Sequence, residues 1–271
     1  MPELPEVETI KNELSPLVVG RTVKKIEFLW PRTLRGDTPE SLDLKAAGRK
    51  ITNLSRRGKY LVFHLDGSGL LTVHLKMTGS FLLVDSKDEP TKHTRAIIFL
   101  DNGQRLFFID PRKFGRFQLV NRSGSFLDEL GVEPLSSEFT PELLARLLAK
   151  RESAPVKSIL LDQKLIAGIG NLYADEALFV AGIHPLRPGG SINFDETVRL
   201  RGAIRRVLAE AIEKKGASIA NYFRPGGETG TAHNHFKVAH QLGKACPGCK
   251  GKVERIVVRG RGTYFCSSCQ H

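Results

Sequence analysis

All four cysteines of the 271-residue chain fall after residue 245, as Cys246-Pro-Gly-Cys249 and Cys266-Ser-Ser-Cys269. Sixteen residues separate the two pairs, and C-x2-C-x16-C-x2-C is a zinc-ligand spacing. Four thiolates suit a closed tetrahedral structural Zn2+ site. Disulfides would fit a reducing cytosol poorly, and each C-x2-C could in principle serve dithiol redox chemistry. Two matched halves with no further cysteine favour zinc. The insert reads KVERIVV, RGRG, TYF, a strand, a tight turn and a strand that would bring Arg259 and Arg261 to the tip of a hairpin. A basic tip on a rigid hairpin suits a phosphate contact.

A second chemistry lies at the other end. The chain begins MPELPEVE. If Met1 is removed, Pro2 presents a secondary amine, and α-amino groups titrate at about 7.7–8.0, so part of the population is neutral and nucleophilic near neutrality. Taken alone, the stretch reads more simply as a helix start, with Glu3, Glu6 and Glu8 placed where the helix dipole favours acids. A third candidate is LIAGIGNLY at 165–173. Gly168 and Gly170 permit a tight turn, Asn171 could cap the next helix, and free N–H groups there could hold an anion. An ordinary interhelical turn has the same appearance, and the spacing is not that of a dinucleotide fingerprint.

Elements must position these groups. Residues 3–19 carry apolar residues at helical spacing, closed by Gly20. Strands are expected over Tyr60–Leu65, Leu70–Met77, Arg95–Leu100, Arg105–Ile109 and Arg116–Val120, with turns at Asp66-Gly67-Ser68-Gly69 and Asp101-Asn102-Gly103-Gln104. Helices follow from Thr140-Pro141, over 155–162, 171–181 and 195–215, the last closed by Gly216, and 217–235 reads as a loop.

The chain holds 41 Lys+Arg against 29 Asp+Glu, a formal charge of +12. Residues 231–271 contribute seven basic residues and one acid, Glu254. Such an excess points to a polyanionic partner, most simply nucleic acid. No secretory leader and no apolar run of membrane-spanning length is visible, so a cytoplasmic protein is expected. Nothing signals an oligomer, so a monomer is expected.

Six stretches occur in the order found in bacterial formamidopyrimidine-DNA glycosylase: MPELPEVE, RRGKY at 56–60, HLKMTG at 74–79, DPRKFG at 110–115, AGIGNLYADE at 167–176 and RGRGTYFC at 259–266. Together they span essentially the whole chain, which thus resembles that family, of the superfamily shared with endonuclease VIII. The resemblance implies an α+β fold of two domains, an N-terminal helix plus two-layer β-sandwich, then a helix–two-turn–helix domain with a C-terminal zinc-finger β-hairpin. It implies a catalytic domain over 1–130, a DNA-binding domain with a lesion-recognition loop over 131–235, and a four-cysteine zinc finger over 236–271.

It also implies roles. The activity would be a bifunctional DNA glycosylase/AP lyase of base excision repair, acting on oxidised purines in damaged double-stranded DNA by β,δ-elimination. Pro2 would be the nucleophile and Glu3 the general acid/base, with Lys59 and Arg261 completing the catalytic group. His74 and Asn171 would contact DNA phosphates beside Arg261. Met77, Arg112 and Phe114 would fill the space left by an extruded nucleotide. Cys246, Cys249, Cys266 and Cys269 would hold one structural Zn2+, with no other cofactor. Leu4 and the 77/112/114 trio favour the purine enzyme over an oxidised-pyrimidine glycosylase similar to endonuclease VIII. A zinc-dependent DNA-binding protein without catalysis is the rival from another class. FKVAHQLGKAC before the cysteines and the loop at 217–235 depart from the family pattern, which leaves lesion preference the least determined feature.

Overall fold

The computed structural model describes residues 1–67, 69–218 and 223–271. They form two compact units, Met1–Asp128 with Lys214–Thr231, and Glu129–Glu213 with Ala232–His271.

The first unit opens with helix α1, Leu4–Val18, one residue shorter at each end than the spacing predicts because Glu3 is its N-cap and Val19 is already extended. Leu4, Val7, Ile10, Leu14 and Val18 form its buried stripe. Eight strands follow: β1 Val23–Glu27, β2 Ile51–Arg57, β3 Tyr60–Leu65, β4 Gly69–His74, β5 Ser80–Val84, β6 Thr94–Leu100, β7 Arg105–Ile109 and β8 Arg116–Asn121. They make two antiparallel four-stranded sheets, ordered β1-β6-β7-β5 and β2-β3-β4-β8. A short helix α2, Pro39–Ala46, lies between β1 and β2 and is absent from the sequence reading, which expects a single helix here.

The core gathers aromatic rings from both sheets. Phe63 and Phe117 come from one, Phe81 and Phe108 from the other, with neighbouring centroids 5.0–6.1 Å apart. Edge-on and tilted packing of this kind adds specificity to apolar burial. This cluster anchors the ends of β5, β7 and β8, from which the turns at 75–79 and 110–115 depart. Strand β4 ends at His74, not Met77. Lys76 takes φ +55, which ends the extended run and puts Met77 on a turn.

Residues 214–218 and 223–231 pack with this unit. Arg224 pairs with Glu13 at 2.6 Å, and Ala217 bridges Thr231. Of the expected loop over 217–235, residues 219–222 lie outside the described residues, and Ala232–His235 forms a 3-10 turn. Ser68 of the expected 66–69 turn also lies outside them.

The second unit contains helices α3 Pro141–Ala149, α4 Val156–Leu160, α5 Asn171–Ala181 and α6 Phe194–Glu213. Thr140 caps α3, accepting the Leu143 N–H at 3.2 Å. Helix α4 is shorter than the predicted 155–162. Pro155 is its N-cap and Leu161 its C-cap. Strands β9 Glu254–Val258 and β10 Arg261–Phe265 pair across a two-residue turn, Arg259-Gly260, with φ +45 and +75. Positive φ at both turn residues matches the right-handed strand twist. Among the described residues no helix is long and apolar enough to cross a membrane.

Candidate active site and metal centre

Met1 is half exposed, whereas Pro2 and Glu3 are buried. Helix α1 starts with a capping box. Glu6 Oε2 accepts the Glu3 N–H at 2.7 Å, and the Glu3 side chain accepts the Glu6 N–H. The other Glu6 oxygen accepts the Ala217 N–H at 2.8 Å. Glu6 thus does more than compensate the helix dipole: it ties the chain start to the 214–218 segment. Glu8 also has a specific partner. It accepts from Arg56 Nε at 2.7 Å, while Arg56 Nη1 donates to the Gly58 carbonyl at 2.9 Å. Arg56 is therefore not part of a solvated charge run. It joins α1 to the Gly58-Lys59 turn, where Lys59 is buried.

His74 closes β4 beside that turn. Its ring meets Tyr60 edge-on at 4.6 Å, and Nδ1 accepts the Lys76 N–H at 2.9 Å. Burial, then the charges of Lys76 and Lys59, push its pKa down to about 3. The ring is neutral near pH 7 and carries its proton on Nε2, so it can donate a hydrogen bond but adds no charge. Unfolded histidine titrates near 6.5, so protonation of the unfolded chain takes stability away as pH falls from about 6.5 toward 3, and the contribution is complete above that window. An NMR histidine titration should therefore find His74 unprotonated from pH 8 to 5. A midpoint near 6.5 would contradict this environment.

Met77 and Phe114 are 42% and 43% exposed, and Arg112 is exposed beside them. The Arg112 guanidinium lies 5.0 Å from the Phe114 ring centroid. A core-packing role for Met77 and Phe114 is excluded by this exposure.

In the second unit, Gln163 shapes the glycine turn, a role with no sequence signature. Its amide donates to the Ile169 carbonyl at 2.9 Å and accepts the Gly168 N–H at 2.9 Å. Asn171 does not cap α5; Gly170 does. The Asn171 amide instead donates to the Gly262 carbonyl at 2.9 Å, adjoining Arg261, and among the described residues its buried Oδ1 has no hydrogen-bond partner. Lys157, fully buried, pairs with Asp175 at 2.6 Å and donates to Thr263 Oγ1 at 2.7 Å. Asp175 also accepts the Tyr264 N–H at 3.0 Å. Strand β10, and with it Arg261, is thereby fixed to α4 and α5. Glu176 accepts the N–H groups of Lys237, Val238 and Ala239, holding the segment ahead of the cysteines; burial raises its pKa against these bonds.

The four cysteine Sγ atoms lie within 4.8 Å of one another. Cys246 and Cys269 are 3.8 Å apart, Cys249 and Cys266 3.5 Å. Zn–S bonds of about 2.3 Å in a tetrahedron require S···S separations of roughly 3.8 Å, so the donor set fits zinc. Electrostatics agree. The Gly251 N–H brings Cys249 down to about 7, and the hydrogen bond to Cys249 then pushes Cys269 up to about 12. Four adjacent thiolates need a cation, and zinc supplies it while closing the hairpin. Cys246→Ser should lose zinc and hairpin structure together, read by metal content and proteolysis; a metal-free, fully folded wild type would overturn the assignment.

A two-sheet unit with a buried Pro-Glu start, and a helical unit whose glycine turn is bonded to a four-cysteine hairpin, define the class of zinc-finger helix–two-turn–helix proteins. Three family models match the chain: the formamidopyrimidine-DNA glycosylase N-terminal domain over 1–117, the formamidopyrimidine-DNA glycosylase H2TH domain over 130–222, and the zinc finger found in FPG and IleRS over 243–271. The chain belongs to the formamidopyrimidine-DNA glycosylase family. It is 46% identical to the formamidopyrimidine-DNA glycosylase of Chloroflexus aurantiacus, with 100% of this chain and 98% of that one covered. The Thermus thermophilus MutM (FPG) crystal structure is similar at 44% identity and TM-score 0.89, covering 99% and 98%. Lactococcus lactis Fpg bound to DNA containing an abasic site is similar at 34% identity and TM-score 0.92, covering 99% of each chain.

Proposed function

We infer that this chain is a formamidopyrimidine-DNA glycosylase: it excises oxidised purines, such as 8-oxoguanine and ring-opened formamidopyrimidines, from double-stranded DNA in base excision repair. The observation that carries this reading is family membership over the full length, at 46% identity to a named glycosylase. Among its structural relatives, Lactococcus lactis Fpg variants hold DNA containing Fapy-dG, which supports the lesion class. Functionally the chain divides into a catalytic domain over 1–130, a DNA-binding domain over 131–235 and a zinc finger over 236–271. It works as a cytoplasmic monomer that joins the bacterial nucleoid when bound to DNA.

The chemistry follows from Pro2 once Met1 is removed. Its amine attacks C1′ of the damaged nucleotide as the C1′–base bond breaks, and the base departs with the electron pair and takes up the proton that the Pro2 nitrogen sheds. Glu3 protonates the ring oxygen, the sugar opens, and a cationic iminium joins Pro2 to C1′. That cation acidifies C2′. Loss of the C2′ proton expels the 3′ phosphate, and a second elimination expels the 5′ phosphate. Water then hydrolyses the iminium and returns the amine, leaving a one-nucleotide gap.

Lys59, His74, Asn171 and Arg261 contact phosphates or the lesion, and Met77, Arg112 and Phe114 occupy the space of the extruded nucleotide. Arg261→Ala should weaken binding and lower the salt slope of affinity by about one. An unchanged slope would argue against the contact. A panel of duplexes tests the reading as a whole. Faster excision of 8-oxoguanine and formamidopyrimidines than of oxidised pyrimidines supports it; the reverse order would assign the chain to the pyrimidine chemistry of endonuclease VIII.

A further inference from the structure

Three exposed residues assigned to the void sit on two turns. Met77 follows β4, whereas Arg112 and Phe114 follow β7. They can act as one wedge only if the turns keep a fixed spacing.

Asp110 spans them. It is completely buried. One of its oxygens accepts from the Thr78 hydroxyl and from the Arg112 N–H at 3.2 Å. The other accepts the Gly115 N–H at 2.7 Å. Thr78 Oγ1 also faces the Arg112 N–H, at 3.4 Å. A single carboxylate therefore joins the residue after Met77, Arg112 itself and the residue after Phe114. Its backbone is fixed in turn: the carbonyl accepts Arg95 Nε at 2.8 Å, and the N–H donates to the His93 carbonyl at 2.9 Å. Both turns also close on Phe108. A Cβ at Gly79 would stand 2.5 Å from the Leu75 carbonyl oxygen and 2.8 Å from the Phe108 ring, and one at Gly115 would stand 2.3 Å from that ring. Between Arg112 and Phe114, Lys113 takes φ +60 and sets its ammonium 4.0 Å from the centroid of Trp30, the chain's one tryptophan.

We propose that Asp110 is the positioning residue of the duplex-inserting surface, locking the Met77 turn to the Arg112–Phe114 turn so that the three side chains enter DNA as one unit. The proposal rests on the reading of those three residues as void-filling. An asparagine cannot replace the carboxylate. Its NH2 group would face either the Gly115 N–H or the Arg112 N–H, and flipping the amide only exchanges one conflict for the other.

Four variants test this: Asp110→Asn; Thr78→Val, which removes the link and keeps the buried acid; Thr78→Ser, which restores the hydroxyl; and Phe114→Ala, which removes the wedge and leaves the link. Two readouts are needed. Acrylamide quenching of Trp30 in the free protein reports the Lys113 turn without reference to DNA. The second is the single-turnover rate of 8-oxoguanine release divided by the rate of strand scission at a preformed abasic site. That quotient normalises release of the lesion base to the iminium and elimination chemistry that both substrates share at Pro2.

Asp110→Asn and Thr78→Val should raise Trp30 quenching and lower the quotient by about ten- to a hundred-fold, the scale set by ångström misplacement. Thr78→Ser should restore both. Should Asp110→Asn fail to fold, Thr78→Val carries the test. Unchanged quenching in Thr78→Val would overturn the proposal whatever the activity. A lowered quotient in Phe114→Ala with a normal one in Thr78→Val would overturn it and leave the void-filling reading standing. Altered quenching with a normal quotient in both would overturn the void-filling reading and, with it, the functional role of Asp110.

Discussion

Glu3→Gln should bind a lesion duplex within about three-fold of wild type and release its base at least about a hundred-fold more slowly, the range of a lost general acid. The geometry makes this substitution discriminating. Glu3 is the N-cap of α1 and shares a reciprocal capping box with Glu6. A glutamine side chain keeps an acceptor oxygen for the Glu6 N–H, so the cap survives, and the Glu6 bonds to Glu3 and Ala217 do not involve the changed atoms. What is lost is the ability to give and take a proton at a buried position. Single-turnover base release, measured beside filter or polarisation binding, reads the two roles separately. Normal base release in Glu3→Gln would reduce Glu3 to a helix cap.

Retention of Met1 should have an equally large effect on both activities. With Met1 attached, the Pro2 nitrogen is an amide without a nucleophilic lone pair. A chain with lysine inserted between Met1 and Pro2 should therefore keep zinc, fold and phosphate contacts while losing base release and strand scission by about a thousand-fold or more, in keeping with loss of a covalent nucleophile. Intact mass establishes which start each preparation carries, and a gel assay on lesion and abasic duplexes reads both steps. Undiminished scission by this extended chain would place the nucleophile elsewhere.

The elements of the fold and the residues of the site differ in how far they are legible in the sequence. The cysteine pairs announce their site because metal ligation fixes spacing, and the hairpins at 101–104 and 259–260 announce themselves through turn chemistry. The α1 stripe is equally plain, because burial of one helical face imposes a period. Helix α2 escapes notice because only Leu42 and Ala46 of its eight residues are buried, too thin a stripe to set a pattern. The end of β4 is misread because alternation runs on through Leu75 and Met77, while the positive φ of Lys76 depends on the Nδ1 of His74 and on the turn it enters.

The buried and half-buried polar residues are the least legible. Asp110, Lys157, Gln163 and Asp175 act through partners that tertiary folding supplies, in several cases from distant parts of the chain. A buried charge is tolerated only where such partners exist, and nothing local in the chain records them. Asn171 is an intermediate case. Its place after two glycines is conspicuous and suggests a cap, yet its amide reaches across to Gly262.

Everything in this mechanism turns on attack of the sugar by Pro2. The most direct test is borohydride trapping on a duplex carrying 8-oxoguanine opposite cytosine, followed by peptide mapping of the adduct, with protein free of Met1 and loaded with zinc. One covalent adduct is expected, on the N-terminal peptide, with DNA joined to Pro2. An adduct on any lysine, or none on either the 8-oxoguanine duplex or an abasic one, would contradict it.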